Sequence, residues 1–413
     1  MGNLNLQQFE QTLPLQTAQR IENKEQAIQA ARQLAKQFAK EASLRDQKRQ
    51  LPADELNAFS ESGLWAITVP KQYGGAGLTW RDALEVIKII AAVDPSLGQL
   101  PQNHLVIVEH IRLDGTEQQK QFFFDLVLKG VRFGNAFSEI GNKNVADFKT
   151  IIKPVNNNAN EYDFEVNGKK FFATGALLAH WVPIVTVNQD GLPHLAVVPR
   201  HVEGLEIVND WSGFGQRTTA SGTVIIDKVK VPADHVIPIF RAFARPTVAG
   251  PVSQIIQAAI DAGIARGAVE ETIQYVRQYA RPWIDSQQDK ATDDHYTIAA
   301  IGDLKIKLRA AEAVLDLAAD QIDYATQNPS EETVAEASVL VAEAKVLTTE
   351  IAILATNKLF ELSGTRSTLA ELNLDRHWRN ARTHTLHDPV RWKYHLVGNY
   401  FLNDVKPPRH PWN

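Results

Sequence analysis

Asp375-Arg376-His377-Trp378-Arg379-Asn380-Ala381-Arg382-Thr383-His384-Thr385-Leu386-His387-Asp388-Pro389 is the stretch around which the rest of the chain is arranged. It opens as a helix, and Arg376, Arg379 and Arg382 recur every three residues, which sets three cations along one face. The plain alternative for them is a solvated surface. Asp388-Pro389 reads as the N-cap and first-turn proline of a final helix over 390–402. His384 and His387 therefore sit in a short connection aimed at a helix N-terminus, whose partial positive charge disfavours imidazolium. A neutral imidazole accepts one hydrogen bond and donates another, which suits holding a reactive oxygen species or taking a proton. A metal site is the other use of a His-x-x-His pair. With no Cys and no His-Glu-x-x-His helix, we expect none.

Composition narrows the class of protein. Hydrophobic content of 44% with 22% charged residues over 413 positions describes a globular chain with a large core and two or three domains. A net charge of -5 argues against nucleic acid as a partner. No apolar run reaches the length of a membrane span, and the N-terminus reads as a polar helix rather than a signal peptide, so a cytoplasmic location is expected. Sulfur is nearly absent: there is no Cys, and Met1 is the single Met. Drift is the bland explanation. Resistance to oxidation beside a peroxide is a second, and economy in a protein made when sulfur is scarce is a third.

Taken in order, residues 16–50 read as one long amphipathic helix, followed by a second over 52–62. A glycine-punctuated loop, Val69-Pro70-Lys71-Gln72-Tyr73-Gly74-Gly75-Ala76-Gly77, lacks the preceding strand and the Lys-Ser/Thr of a phosphate loop. Helices are expected at about 80–93, 101–113 and 117–129, with breaks at Asp94-Pro95 and Asp114-Gly115. From Val131 the pattern turns to short strands: 150–155, 162–166, 182–187, 195–198 and 223–226, separated by Asn-Gly, Asp-Gly and Ser-Gly turns. Beyond Phe243 the chain is helical again, with a long Ala-rich pair at 300–327 and 331–362.

Helices, strands, helices, with these punctuation marks, resemble the acyl-CoA dehydrogenase superfamily over essentially the whole chain. The marks are Tyr73-Gly74-Gly75-Ala76-Gly77, Phe137-Ser138-Glu139, Gly168-Lys169-Lys170-Phe171-Phe172-Ala173-Thr174-Gly175, Gly215-Gln216-Arg217-Thr218-Thr219-Ala220-Ser221-Gly222, Val229-Lys230-Val231-Pro232 and Leu362-Ser363-Gly364-Thr365-Arg366. The resemblance implies an α+β, mostly helical fold: an N-terminal helical domain (1–130), a central β-barrel-like domain (131–240) and a C-terminal four-helix bundle (241–413) that oligomerises, usually as a homotetramer. It departs where the chemistry is done. Many members carry a Glu base in the turn that here reads His384-Thr385-Leu386-His387. The Phe-Gly that follows the flavin-phosphate arginine is replaced by Pro282-Trp283 after Arg281, which favours FMN over FAD.

Both departures resemble the flavin monooxygenase branch, that of dibenzothiophene monooxygenase and the sulfur-acquisition monooxygenases. Such enzymes take reduced FMN from a separate NAD(P)H:FMN reductase, form a flavin hydroperoxide with molecular oxygen, and pass one oxygen atom to a small organosulfur compound. By this resemblance His387, His384, Asn135 and Thr174 are the catalytic candidates. Ser138, Phe172, Arg281, Thr365 and Arg366 would complete the FMN site, with the last two expected from a neighbouring subunit. His104 and Trp211 are the substrate-pocket candidates, although a lone His near a helix start is more often structural and a bare Trp reads equally well as core. An FAD-dependent acyl-CoA dehydrogenase is the alternative, and a flavin-free oligomerisation protein a third. The sequence leaves an aromatic thiophene, a dialkyl sulfone and an alkanesulfinate open as substrates.

Overall fold

A computed structural model describes residues 18–155 and 163–413; residues 16 and 17 of the first expected helix and Tyr162 of the second expected strand lie outside the described residues. The expected helix over 16–50 is two helices, α1 (Lys24–Phe38) and α2 (Ala42–Lys48), broken by a turn at 39–41 that carries neither Gly nor Pro. After α3 (Ala53–Glu61), the glycine loop leads to α4 (Trp80–Val93), α5 (Pro95–Asp114) and α6 (Glu117–Leu128). Helix α5 begins six residues before the expected 101: Asp94 accepts from the amides of Ser96 and Leu97, Pro95 fills the first turn, and the helix continues through Pro101.

Seven strands follow: β1 (Ile151–Pro154), β2 (Phe164–Lys170), β3 (Trp181–Val187), β4 (Pro193–Pro199), β5 (Leu205–Val208), β6 (Thr223–Val231) and β7 (Val236–Ile237). They form one sheet in the order β5-β6-β2-β1-β3-β4-β7, antiparallel except for the β1–β3 pair. The β-rich middle expected from the turn pattern is present, with β5 and β7 in addition to the strands read from the sequence. β3 is buried on both faces. Trp181 and Val185 pack toward the helices, while Val182 and Ile184 belong to the sheet's own core with Val166, Val198 and Val224.

The chain then returns to helix: α7 (Phe240–Ala244), the long α8 (Ala249–Gln278), α9 (His295–Gln327) and α10 (Glu331–Ser363), and the short α11 (Asp375–His384) and α12 (Arg391–Asn403). One continuous apolar core runs from α1 and α3–α6 into α8–α10. Among the described residues, no helix is long and apolar enough to cross a membrane.

Small residues bring three of these helices unusually close. A Cβ on Gly98 of α5 would lie 2.5 Å from Ala91 Cβ of α4, and one on Gly263 of α8 would lie 2.6 Å from the same methyl. Ala91 is thus gripped from both sides, and Gln99, next to Gly98, and Asp261, two residues before Gly263, are carried toward the same region. A Gly98→Val substitution forces α4 and α5 apart. We expect it to lower stability by about 1–3 kcal/mol in urea denaturation, as overpacking does.

Candidate functional site

The histidine turn is built on α8 and α10. Asp261 and Lys345 project from these helices into the core with no exposure to solvent, as does His384 at the end of α11. Lys345 Nζ donates to Asp261 Oδ2 at 2.8 Å, Thr349 Oγ1 to the same oxygen at 3.1 Å, and His384 Nδ1 to Oδ1 at 2.5 Å. Burial alone would raise the Asp261 carboxyl; Lys345 and then His384 outweigh it and hold the group well below the usual carboxylate range. His384 is pushed below the ordinary imidazole value, by burial first and by Lys345 among its neighbours, although Asp261 pulls the other way.

His387 follows one turn later. Its Nδ1–H donates to the His384 carbonyl at 2.6 Å, and its Nε2 accepts from the Gln99 amide of α5 at 2.9 Å. The two imidazoles lie 4.6 Å apart, centroid to centroid. His387 keeps an exposed side, but desolvation of its ring by the surrounding protein, and next the neighbouring His384, push its pKa down. Both histidines are therefore neutral at pH 7 with the proton on Nδ1. His384 Nε2 and Gln99 Oε1 are buried without partners.

Asp388 does not cap the last helix, as the sequence led us to expect. Helix α12 begins at Arg391 after an uncapped Val390, and Asp388 is turned inward to an ion pair with Lys393 at 3.3 Å, both buried. The low-charge environment of the histidines is set by burial and Lys345 more than by a helix terminus. The three arginines do not share a solvated face. Arg379 is buried against Asp46 of α2 (2.6 Å) and also pairs with Asp375, while Arg376 reaches Glu271.

Across from this turn stand the sheet candidates. Residues 133–136 run alongside β3 through bridges Phe133–Trp181 and Ala136–Ile184, which fixes Asn135, buried with its Oδ1 unpartnered. The loop after β2 bends at Phe172 (φ 54°) and Gly175 (φ 75°), turning Thr174 inward and leaving the Phe172 ring 54% exposed. A Cβ on Gly175 would lie 3.2 Å from Leu100 Cδ2 and 3.7 Å from Gly134 Cα, so the loop, the Asn135 segment and α5 converge. Gln99, next to Leu100, then links them to His387. From Thr174 a line of hydroxyls (Ser221 at 3.5 Å, Thr219 at 2.7 Å) leads to the Gln216 carbonyl, and the Gln216 amide N–H donates to Asn380 of α11 at 2.7 Å. Trp211 is half-buried, donates to the Gln216 carbonyl and meets Phe172 edge-on at 5.8 Å, so it walls this region.

Other candidates lie elsewhere. His104 is completely buried within α5: Nδ1 accepts from the Phe133 amide and Nε2–H donates to the Trp65 carbonyl, with burial pushing its pKa down to about 3. With both nitrogens spent on backbone it holds Phe133 in place, which favours the structural reading of this residue over the substrate-pocket one. Ser138 is exposed; its carbonyl accepts from Phe171. Arg281, Thr365 and Arg366 are exposed and near one another, with the Arg366 guanidinium over Tyr279 at 5.2 Å. They stand at the C-terminal ends of α8 and α10, about 25 Å along α8 from Asp261. One chain does not bring them to the histidine turn. Asp261, Lys345 and Gln99 are the site residues that the sequence reading missed. The available signal was Asp261 as a lone acid inside the apolar run Ile255–Ala265.

The polar atoms left open fit a reduced flavin. Asn135 Oδ1 can accept from a ring N–H, and both ends of the buried, unpartnered Gln216 amide can meet ring carbonyl and N–H groups. Comparison with known proteins agrees. Residues 22–130 match the family model for the acyl-CoA dehydrogenase N-terminal domain, and residues 255–392 that for the acyl-CoA dehydrogenase C-terminal domain. The chain is 35% identical over 396 residues to dibenzothiophene monooxygenase of Mycolicibacterium goodii, covering 92% of this chain and 94% of the relative. It is 33% identical over 395 residues to the probable FMNH2-dependent monooxygenase SfnC of Pseudomonas putida, covering 92% and 96%. The crystal structure of FMN-bound TdsC from Paenibacillus sp. A11-2 superposes with a TM-score of 0.89 at 32% identity, covering 94% of this chain and all (100%) of that one.

The Asp46–Arg379 pair also secures the Trp211 wall, because Arg379 Nη1 donates to the Phe214 carbonyl and Arg49 to the Gly213 carbonyl. Asp46→Leu strands a buried guanidinium. We expect a loss of about 3–5 kcal/mol in chemical denaturation, much of it recovered in the Asp46→Leu/Arg379→Leu double variant.

Proposed function

Because this chain belongs to the acyl-CoA dehydrogenase superfamily, in the flavin-dependent monooxygenase branch, we propose that its histidine turn and the Asn135–Thr174 wall together form an oxygenation site for a small organosulfur compound. The enzyme uses reduced FMN supplied by a separate flavin reductase. The observation that carries the reading is chemical. The turn where many dehydrogenases of the family carry a carboxylate base holds two histidines, and both nearby acids are engaged, Asp388 with Lys393 and Asp261 with Lys345 and His384.

Reduced FMN, when bound, supplies the two electrons that let one atom of molecular oxygen enter the substrate while the other leaves as water. The residues hold and shield. Asn135, whose Oδ1 is unpartnered, would accept from a ring N–H, with the Thr174 hydroxyl as a second polar group. Gln99 holds His387, whose Nε2 takes a proton and returns it. Phe172 and Trp211 keep water from the site, which limits loss of reducing equivalents as hydrogen peroxide. A soft sulfur centre needs little acid–base help, in keeping with a site that has no free carboxylate pair. The scarcity of Cys and Met supports a role in sulfur acquisition. A cytoplasmic location follows from a need for cellular reductase.

Arg281, Thr365 and Arg366 lie too far from the turn to serve the same chain's flavin. We assign them to the phosphate of a flavin held by a second copy in a homo-oligomer, a tetramer by the family pattern.

Two measurements test these statements. With reduced FMN and 18O2, the protein should place one labelled atom in at least one of dibenzothiophene, dimethyl sulfone or methanesulfinate. Stoichiometric hydrogen peroxide with no labelled product, or reduction of a bound flavin by an acyl-CoA, would overturn the reading. Separately, Arg281→Ala and His387→Ala are each expected to be nearly inactive, and co-expression of the two should restore part of the activity, since mixed oligomers contain sites with both groups intact. No recovery in confirmed mixed oligomers would place Arg281 in its own chain's site.

A further inference from the structure

Three residues with no solvent exposure, Lys345, Asp261 and His384, form a row in the bundle, and they touch the reaction site only through His387. A buried carboxylate between an ammonium and an imidazole is costly to assemble, and a well-packed apolar trio would serve stability as well or better. The row has a direction. Asp261, with one oxygen engaged by Lys345, can offer His384 only an acceptor, so the His384 proton is fixed on Nδ1. The His384 carbonyl is likewise only an acceptor, so His387 carries its proton on Nδ1 and its Nε2 is left as a lone pair, now receiving the Gln99 amide. Gln99 in turn neighbours Leu100, against which the Thr174–Gly175 loop packs.

We propose that Asp261 and Lys345 are positioning residues for the oxygenation reaction: they fix the His384 ring as the neutral Nδ1–H tautomer and so hold in place the His384 carbonyl that keeps the His387 proton on Nδ1 and leaves its Nε2 an acceptor. Gln99 keeps that lone pair occupied, and rotation of its amide lets the unpartnered Oε1 accept a hydrogen bond from Nε2–H once His387 has taken a proton. The charged and titratable groups facing His384 are Asp261 from α8, Lys345 from α10, and His387 and Asp388 from its own turn, with Lys393 of α12 paired to Asp388. Those facing His387 are His384, Lys345 and Asp261. Lys345 opposes a proton on either ring, while Asp261 favours one. Removing the ammonium alone therefore raises the proton affinity of His384, and removing both charges frees its tautomer. The proposal rests on the monooxygenase reading for its role in catalysis, and on geometry alone for the placement of the protons.

The test separates these. Two-bond 1H–15N spectra of the flavin-free, full-length protein labelled with 15N-histidine report tautomer and titration, with assignments from His384→Gln and His387→Gln. In the wild type both rings should be neutral Nδ1–H tautomers at about pH 6, below the ordinary imidazole midpoint of about 6.5. In Lys345→Met, His384 should bind its proton at least tenfold more tightly. In Asp261→Asn/Lys345→Met, which carries neither buried charge and so folds if the single variant does not, His384 should show both tautomers. Unchanged histidine signals in these variants would overturn the proposal. With reduced FMN and the sulfur compound that the wild type oxygenates, the variants should release several-fold more hydrogen peroxide per flavin, with kcat lowered and KM unchanged. A rise in KM with full coupling would also overturn it. If the histidine signals shift as expected while the wild type oxygenates nothing, the monooxygenase reading fails and the proton placement stands.

Discussion

A carboxylate wholly removed from water persists only if its charge is met on every side, and Asp261 is met by an ammonium, a hydroxyl and an imidazole. Asp261 stands on α8 and its partners come from α10 and the end of α11, so the pairing ties this short helix to the long bundle at one point. The direction of α11, the bend that follows it and the attitude of both histidines depend on this contact. Loss of Lys345 would leave the Asp261 charge uncompensated in the core. The histidine turn is thus anchored to two long helices.

The opposite wall is made differently. It consists of loops from the sheet, pinned by left-handed backbone at Phe172 and Gly175 and by glycines that permit close approach to α5 and α11. Helix α5 joins the halves: His104 holds the Asn135 segment through Phe133, Leu100 meets the Thr174 loop, and Gln99 reaches His387. The close contact of Gly98 and Gly263 on Ala91 sets the height of this helix relative to Asp261. Packing in the N-terminal helices therefore determines polar geometry at the site.

Much of this was readable in the chain. The helix–strand–helix order, the family's punctuation marks and the histidine turn all follow from local pattern. The break after α1 was not readable, since the Ala39-Lys40-Glu41 turn contains no residue that forbids helix. Asp388-Pro389 has the composition of a cap, but a buried Lys393 five residues on competes for the carboxylate and wins. Asp261 and Lys345 are 84 positions apart and meet only because two helices lie side by side; periodicity records which face a residue occupies, not what stands opposite. His104 illustrates the converse: a polar side chain that looked functional is fully employed by backbone groups that no sequence pattern locates.

Gly215 lies so near α11 that a Cβ there would stand 1.9 Å from the Arg379 carbonyl. The segment from Trp211 to Arg217 consequently has a single seat on the helix, and its backbone path is not free to drift as relatives diverge or as mutations accumulate. Diversification of this stretch is channelled into outward side chains such as Phe214, which lies flat on Trp378, whereas Trp211 is tied down by its bond to the Gln216 carbonyl. An exchange at Phe214 alters what the segment shows to its surroundings, like a new panel on a fixed frame, and leaves the seat on the helix as it was.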